Sequence, residues 1–146
     1  MFNILAAVDG SDHATSALEL ASDIAAKYGA ALHVINAIQS TGLPEALRRY
    51  AESEHIEGSN PRVYTIVAER LLETAAAEAK ELGVKTVKTV IRNGDPAQQI
   101  VDYAKEAKID MIVMGSKGLS DIQGMMLGSV SHKVSHLAPC TCVTVR

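Results

Sequence analysis

Residues 115–131 read Gly-Ser-Lys-Gly-Leu-Ser-Asp-Ile-Gln-Gly-Met-Met-Leu-Gly-Ser-Val-Ser and connect two kinds of hydrophobic pattern. The apolar run before them, residues 111–114, predicts a short buried strand. From the end of this stretch onward, Val130, Val134 and Leu137 recur on one face, which predicts a helix. Glycines let a backbone turn sharply and approach a ligand, and the amides and dipole at a helix N-terminus favour an anion. Strand, glycine loop and helix start together predict a phosphate-binding loop.

The spacing of these glycines is more specific than their number. Gly115 is followed after two residues by Gly118, and after nine more by Gly128 and Ser129. Neither of the commoner nucleotide signatures, G-x-x-x-x-G-K-[ST] or G-x-G-x-x-G, occurs in the chain. Ser129 is expected either to cap the helix or to offer its hydroxyl to the anion. A loop that only joins the strand to the helix is the alternative to ligand binding.

Length and composition indicate one compact domain, residues 1–146. The 146 residues are 47% hydrophobic, which suffices for a core without disulfides or metals. The formal net charge of -3 arises from 14 basic and 17 acidic side chains with no long run of one sign, which argues against nucleic-acid and membrane partners. No apolar stretch approaches the roughly 20 residues of a membrane span, and Met1 leads straight into a strand instead of a signal peptide. We therefore expect a cytoplasmic protein.

Two cysteines and two histidines lie close together near the end of the sequence. Cys140 and Cys142 are two apart, so in a strand they point to the same face, where we expect reduced packing residues. With His132 and His136 they supply four side chains of the types that bind zinc, but the spacings match no usual structural zinc pattern. We therefore predict no metal site made by the protein alone.

The rest of the chain alternates apolar runs with amphipathic patterns. Strands are predicted at residues 3–8, 31–37, 86–91, 111–114 and 140–145. Helices are predicted between them, and their inner faces are Ala14, Ala17, Leu18, Ala21, Ile24, Ala25 and Tyr28 in the first, Tyr64, Val67, Ala68, Leu71, Leu72, Ala75, Ala79 and Leu82 in the second, and Ala97, Ile100, Val101 and Ala104 in the third. The expected caps are Ser11 or Asp12, Gly29, Asn60 before Pro61, and Asp95 before Pro96. This order predicts an α/β fold with a five-stranded parallel sheet and helices on both faces.

Two other features bear on a ligand. In such a sheet a ligand lies at the carboxyl ends of the strands, where the connections diverge. If the first and fourth strands are neighbours there, Asp9 and Gly115 face one cleft. Residues 39–60 carry glycine, proline and a charged middle, and they predict a solvated linker or short exposed helix. The alternative for that segment is a lid from which Arg48 or Arg49 reaches a phosphate.

Four further motifs accompany the glycine loop: Val8-Asp9-Gly10-Ser11, Leu32-His33-Val34, Gly94-x-Pro96 and Ala138-Pro139-Cys140. With them, the chain resembles the universal stress protein family, in its ATP-binding subgroup, over its whole length except residues 39–60. The resemblance implies a Rossmann-like, adenine nucleotide alpha hydrolase-like fold with strand order 3-2-1-4-5. It implies ATP in the cleft, with AMP or ADP as alternatives and Mg or Mn as the accompanying ion. It also implies a homodimer through the last strand, from Cys140 to Val145, and leaves the identity of any further protein partner open.

Carried over residue by residue, the resemblance assigns roles to three motifs. Ala7, Val8 and Asp9 are implied to line the adenine and ribose. Val34 is implied to meet the adenine through its backbone, and Met114 to flank the base. The residues implied to surround the phosphates are Gly115, Lys117, Gly118, Gly128, Ser129, Val130 and Ser131. Backbone amides supply directional donors there, and the lysine supplies a compensating charge. Asp9 has an alternative role as a turn residue that caps the first helix.

Two positions depart from the family pattern. Ala7 stands where many members have Pro, which should matter little for a backbone or van der Waals contact. Thr141 and Cys142 replace a Pro-Val pair that is frequent there, which bears on the strength of the dimer. His33 fits the pattern and is expected to be a structural residue of a core strand rather than a catalyst.

Catalysis of phosphoryl transfer requires groups that orient a nucleophile and hold a metal against the phosphates. The glycine loop and the residues implied to contact the nucleotide include two acidic side chains, Asp9 and Asp121, and neither has a diagnostic spacing to a base. We therefore expect an ATP-binding stress-response or regulatory protein rather than a dedicated enzyme. The alternatives are an enzyme that hydrolyses ATP slowly and a nucleotide-free interaction scaffold on the same fold.

Overall fold

The computed structural model describes residues 1–39, 53, 63–118 and 127–146, and these ranges contain five strands that alternate with four helices whose bounds are defined. The strands are β1 (Asn3–Ala7), β2 (Ala31–Ile38), β3 (Thr86–Asn93), β4 (Met111–Gly115) and β5 (Thr141–Val145). The helices are α1 (Asp12–Tyr28), α2 (Val63–Glu81), α3 (Pro96–Glu106) and α4 (Ser129–Leu137). The predicted alternation of strands and helices is confirmed.

The strands form one parallel sheet in the order β3-β2-β1-β4-β5, as the family resemblance implied. β1 lies at the centre, where Leu5 pairs with His33 of β2 on one side and Ile112 of β4 on the other. The chain first builds outward through β2 and β3, then crosses to β4 and β5. The connections therefore diverge beside the carboxyl end of β1, which is where ligands bind in open parallel sheets.

Each face of the sheet is covered by two helices, because successive residues of a strand point to opposite faces. Ile4 and Ala6 point into the core beneath α1 and α2, whereas Leu5 points into the core beneath α3 and α4. The first core is rich in alanine, with Ala17 and Ala21 fully buried on α1. Such small side chains let a helix lie close to the sheet, which brings the start of α1 near the end of β4.

The helix caps follow the predicted chemistry. Ser11 is the N-cap of α1, since its hydroxyl accepts from the Ala14 amide at 3.2 Å, and Asp12 is the first helical residue. Gly29 ends α1 with φ 65°, a conformation that glycine adopts without a Cβ clash. Asp95 caps α3 by accepting from the Gln98 amide at 3.0 Å, with Pro96 opening the helix.

Three predicted inner-face residues are exposed. Tyr28, Leu82 and Leu137 have exposed fractions of 69%, 43% and 48%. Each stands at the C-terminal end of its helix or just beyond it, where the apolar stripe continues but the opposing surface has ended. Periodicity predicts which side of a helix packs, but it does not predict where the partner surface stops.

The last strand starts later than predicted, and some predicted features fall outside the described residues. β5 begins at Thr141 rather than Cys140, which lies in a bend after Pro139. Proline lacks an amide donor and restricts its neighbours, so the ladder starts later. Residues 40–52, 54–62 and 119–126, including Arg48, Arg49, the Asn60-Pro61 cap and Asp121, lie outside the described residues. Within the described ranges, no helix combines the length and apolarity needed to cross a bilayer.

Candidate functional site

A cleft opens at the carboxyl ends of β1 and β4, so Asp9 and Gly115 face one cavity as expected. Its lining includes nine residues singled out in the sequence: Ala7, Val8, Asp9, Met114, Gly115, Lys117, Gly118, Val130 and Ser131. It also includes seven that were not predicted as site residues: Ser11, Ala14, Ile35, Asn36, Ala37, Pro96 and Ile100. Val34, Gly128 and Ser129 were predicted as site residues and are not part of this lining.

The turn after β1 is held by side chains that also border the cleft. One carboxylate oxygen of Asp9 accepts from the Ser11 amide at 2.9 Å, and the Ser11 hydroxyl in turn caps α1. Asp9 is therefore a turn residue as predicted, but the predicted helix cap is wrong, because Ser11 rather than Asp9 caps α1. The carboxylate also lines the cavity, so its turn-forming bond fixes the direction in which it faces a ligand.

The β2 side of the cleft is formed by residues that follow Val34. Val34 is fully buried among the side chains beneath α1 and α2, whereas Ile35, Asn36 and Ala37 reach the cavity. Asn36 donates from its side-chain amide to the Val8 carbonyl at 2.7 Å, and the Val8 amide donates to the Ile35 carbonyl at 3.0 Å. These two bonds extend the pairing of β1 and β2 beyond the ladder and shape this wall. The sequence signal that could have identified this side-chain hydrogen bond is a polar asparagine in an otherwise apolar strand.

Ser116 was not predicted as a site residue, yet it makes several bonds to other parts of the structure. It is 2% exposed, and its carbonyl accepts from the Gly128 amide at 2.5 Å and from the Ser131 hydroxyl at 2.7 Å. Its own amide donates to the Val145 carbonyl at 2.7 Å, and its hydroxyl lies 3.1 Å from Nδ1 of His13. One buried residue thus fastens the start of the glycine loop to the start of α4, to β5 and to α1.

The start of α4 is built differently from the prediction. Gly128 is the N-cap, so Ser129 is the first helical residue and its capping alternative is wrong. Gly128 has φ -74° and ψ 168°, an extended conformation that any residue adopts, and its amide is already donated to Ser116. Ser129 is exposed beside the helix start. A ligand at this helix end would therefore meet amides of the first turn rather than that of Gly128.

Gly115 has a packing reason to be glycine. A Cβ at this position would lie 2.7 Å from the Cβ of His13 and 2.9 Å from the Ala14 amide nitrogen. Real Cβ contacts are essentially never shorter than 3.0 Å, so the helix would have to shift. The absence of a side chain at Gly115 lets α1 approach the end of β4 beside the cleft.

The walls of the cleft differ in chemistry. One part is apolar and consists of Ile35, Ala37, Pro96, Ile100 and Met114. The other carries the polar groups of Asp9, Lys117 and Ser131 beside the backbone of Gly118. An apolar wall with a few directional polar groups is the usual composition of a small-molecule site. The arrangement suits a ligand with a flat apolar part and an anionic part, because Lys117 and helix-end amides favour negative charge.

His33 lies outside the cleft lining, in the core between β2 and α3. Its Nδ1 is 2.7 Å from the Tyr103 hydroxyl, and its Nε2 is buried with no hydrogen-bond partner. Burial, followed by the positive charge of Lys88, lowers the pKa of His33 below 6.5. The ring is thus a neutral structural group, as predicted, although only one of its two nitrogens is satisfied.

The two cysteines are free and half-buried against the core beneath α3 and α4. Burial is the main cause that raises the pKa of each thiol, so both stay protonated at neutral pH. Within residues 1–39, 53, 63–118 and 127–146, no three histidine, cysteine or acidic side chains are grouped to hold a metal ion.

Comparisons with known proteins agree with this architecture. A family model described as the universal stress protein family matches residues 1–146. The universal stress protein YxiE of Bacillus subtilis (strain 168) is 38% identical over 155 aligned positions, covering 100% of both chains. The solved structure of the universal stress protein UspA from Lactobacillus plantarum has a TM-score of 0.81 at 28% identity, covering 99% of this chain and 97% of that one. A universal stress protein in complex with cAMP has a TM-score of 0.72 at 28% identity, with the same coverage.

Proposed function

Because the chain belongs to the universal stress protein family, we propose that it binds ATP in the cleft between β1 and β4 and acts as a stress-response regulator. The observation that carries this proposal is the cleft itself. Nine residues from two distant motifs, selected from sequence alone, line one cavity at the divergence point of the sheet. If the glycine loop only joined β4 to α4, there would be no reason for the motif after β1 to line the same cavity.

The proposed ligand matches the two kinds of wall. The adenine would pack on the apolar side chains of Ile35, Ile100 and Met114, while the phosphates would extend toward Lys117 and the first turn of α4. The related protein solved with cAMP supports an adenine nucleotide as the ligand class. ATP is preferred over AMP and ADP in this proposal because the glycine loop offers several donors and a cation to a long phosphate chain.

A divalent ion, Mg²⁺ or Mn²⁺, would enter with the phosphates. Asp9 is the acidic residue among the described cleft residues. Mg²⁺ commonly binds through one or two carboxylates together with phosphate oxygens and water, which fits this single acidic side chain. The residues present are therefore compatible with a nucleotide-borne ion and offer no cage for a resident one.

We propose regulation rather than dedicated catalysis as the output. The nucleotide would stabilise one arrangement of the loop that Ser116 connects to β5, and β5 is the proposed edge of a homodimer. A change at the loop would thereby reach the subunit contact and, through it, a protein partner. Slow ATP hydrolysis is the second candidate, since Asp9 could orient a water molecule toward the phosphates.

The first experiment measures nucleotide carried by the purified protein. Denaturation followed by chromatography should release an adenine nucleotide, and single-turnover assays with added ATP should show at most slow hydrolysis. Rapid turnover would favour the enzyme. Release of no nucleotide, combined with no heat on titration with Mg-ATP, AMP or ADP, would favour the nucleotide-free scaffold.

The second experiment compares cleft variants by calorimetric titration with Mg-ATP. Gly118→Val should greatly weaken binding because its side chain crowds the phosphates. Lys117→Ala should cost about 1 kcal/mol, or about fivefold in Kd, for a screened lysine–phosphate contact. Lys133→Ala is the matched control, since its ammonium binds Asp95 at 3.2 Å and Lys133 is not part of the cleft lining. If folded Gly118→Val bound Mg-ATP with wild-type affinity, the loop would serve only to connect β4 to α4.

A further inference from the structure

The exposed side of α4 carries two histidines that the cleft does not use. His132 and His136 are four residues apart, so they are neighbours on the helix surface, and both are exposed. Their ring centroids are 4.6 Å apart, and their planes are inclined by 71°. Val134, between them in sequence, is fully buried on the opposite side. The two histidines therefore lie on the exposed side of a helix whose other side packs against the core.

The separation of the two rings can be compared with that of two imidazoles on one metal ion. A bound imidazole nitrogen lies about 2.1 Å from the ion, which puts the ring centre about 3.2 Å from it. Two such rings would have centres about 4.5 Å apart at a right angle and about 5.2 Å apart at a tetrahedral angle. The observed 4.6 Å corresponds to the right angle. Small side-chain rotations would then direct one nitrogen of each ring at a shared ion.

The surroundings leave this pair accessible to a cation. Lys133, the charged neighbour on the same helix, binds Asp95 through its ammonium at 3.2 Å, so its charge is balanced. Ser135 donates its hydroxyl to the Ser131 carbonyl at 2.7 Å. Edge-to-face contact alone would explain two adjacent rings. It would not require both to be histidine, the side chain that binds Ni²⁺, Cu²⁺ and Zn²⁺.

The sequence spacing predicted no metal site that the protein makes alone, but the geometry of the two rings leads us to propose that His132 and His136 form a two-imidazole chelate for a divalent transition-metal ion. Ni²⁺, Cu²⁺ and Zn²⁺ are the ions whose coordination chemistry suits a pair of imidazoles. Water molecules complete the coordination. The bound ion links the first and last turns of α4, so it stabilises the helix whose start borders the cleft. The site is independent of nucleotide binding, and its failure would leave the proposed function untouched.

The test is a calorimetric titration of the nucleotide-free protein with Ni²⁺. Ni²⁺ is used because Cu²⁺ can oxidise the free thiols of Cys140 and Cys142. The variants are His132→Gln, His136→Gln and the double change, and His55→Gln serves as a matched loss of a histidine elsewhere in the chain. Glutamine keeps good helix propensity and removes the imidazole. Circular dichroism establishes that every variant is folded.

A chelate predicts strong non-additivity. Each single variant should bind Ni²⁺ about tenfold more weakly or worse, and the double variant should lose little more, because one remaining imidazole no longer chelates. His55→Gln should bind as the wild type does. Two independent surface histidines would instead give additive losses or a halved stoichiometry at unchanged affinity, and either result would overturn the proposal.

Thermal unfolding supplies a second readout. An ion that binds only the folded helix should raise Tm by about 5–10 °C at a hundredfold excess over its Kd. At the same Ni²⁺ concentration the increase should be as large in His55→Gln as in the wild type and about half as large or smaller in both single variants, since tenfold weaker binding leaves about half of the stabilisation. An equal increase in His132→Gln would also overturn the proposal.

Discussion

Gly115 illustrates how one residue can belong to a ligand motif and still be required by the fold. The start of α1 lies against it so closely that a methyl group would overlap the His13 backbone, whose carbonyl carbon would be 2.8 Å away. The first residue of the glycine motif is therefore fixed by helix–strand packing before any phosphate is considered. The same close approach seats the Ser11 cap and the Asp9 turn beside the cleft.

Gly115→Ala should destabilise the protein in the absence of nucleotide, by about 2–3 kcal/mol, because α1 must move away from β4. Urea denaturation of the nucleotide-free protein measures this free energy of unfolding. Gly29→Ala is the comparison, since its Cβ would meet no atom within 4 Å but would adopt φ 65°. It should cost about 1 kcal/mol from backbone strain alone. If Gly115→Ala kept wild-type stability and lost only nucleotide affinity, the packing role would be wrong.

The His33 network is the clearest source of pH-dependent stability in the described core. Tyr103 from α3 contacts the ring, Lys88 from β3 repels its protonated form, and Arg92 lies 5.2 Å from the centre of the Tyr103 ring. Arg92 is in turn paired with Glu106 at 2.5 Å, which leaves Lys88 as the charge that acts on His33. Protonating this buried ring is therefore disfavoured in the folded state.

The free energy of unfolding should fall as the pH decreases below about 6.5. The pKa of His33 is lower in the folded than in the unfolded state, so the unfolded chain takes up the proton first. The slope from this one group is at most about 1.4 kcal/mol per pH unit and ends below the folded-state pKa. Urea midpoints at several pH values should show a weaker dependence in His33→Gln than in the wild type. Equal slopes in the wild type and in His33→Gln would contradict the assignment.

At the scale of elements, α4 and the glycine loop are coupled by Ser131 as well as by backbone bonds. Ser131 is 3% exposed, and its hydroxyl donates to the Ser116 carbonyl at 2.7 Å and lies 3.1 Å from the Gly128 carbonyl. It thus connects the helix start to the residue that follows β4. Ser135, one turn later, makes only a bond back to the preceding turn of its own helix.

Ser131→Ala should therefore lower stability by about 1 kcal/mol and weaken nucleotide binding, because the loop loses a buried hydrogen bond and a cleft-lining hydroxyl. Ser135→Ala, the same substitution on the same helix, should leave both within error. The two variants are compared by urea denaturation and by titration with Mg-ATP. Equal effects would mean that the Ser131 bond does not position the loop.

The elements were predictable because their signals are local, whereas the site was predictable only in part. Ser11, Gly29 and Asp95 act within one helical turn, so their spacing in the sequence contains the information. Asn36 instead bonds a residue 28 positions away, and Ser116 bonds His13 across 103 positions. Such partners are set by the sheet order and register, which a spacing pattern does not encode. The family resemblance supplied the sheet order, and the register then placed Ile35 rather than Val34 at the cleft.

At the scale of the whole molecule, the two edges of the sheet are unequal. β3 carries Lys88 and Arg92, and charges on an edge strand oppose pairing with another chain. β5 has neither charge nor proline between Thr141 and Val145, and its apolar residues are only half-buried. An open edge of this kind is suited to symmetric pairing with a second copy. We expect the proposed homodimer to use it.

The backbone directions along β5 determine which substitution tests that dimer. The Val145 carbonyl accepts from the Ser116 amide, so Val145 faces β4 with its backbone. These directions alternate along a strand, which turns Val143 toward β4 and turns Cys142 and Thr144 toward the open edge. A proline at Thr144 would therefore remove an edge donor while sparing the β4–β5 ladder, whereas a proline at Val143 would interrupt the ladder.

Thr144→Pro should convert the dimer to a monomer with little change in the urea midpoint of the subunit. Val143→Pro should mainly lower the stability of the subunit, because it removes a hydrogen bond to β4. Sedimentation equilibrium over a range of concentrations gives the mass of the wild type and of both variants. A wild type that is dimeric and a Thr144→Pro variant of equal mass would exclude β5 as the interface, since proline leaves no donor at that edge position and its ring would obstruct the approaching strand.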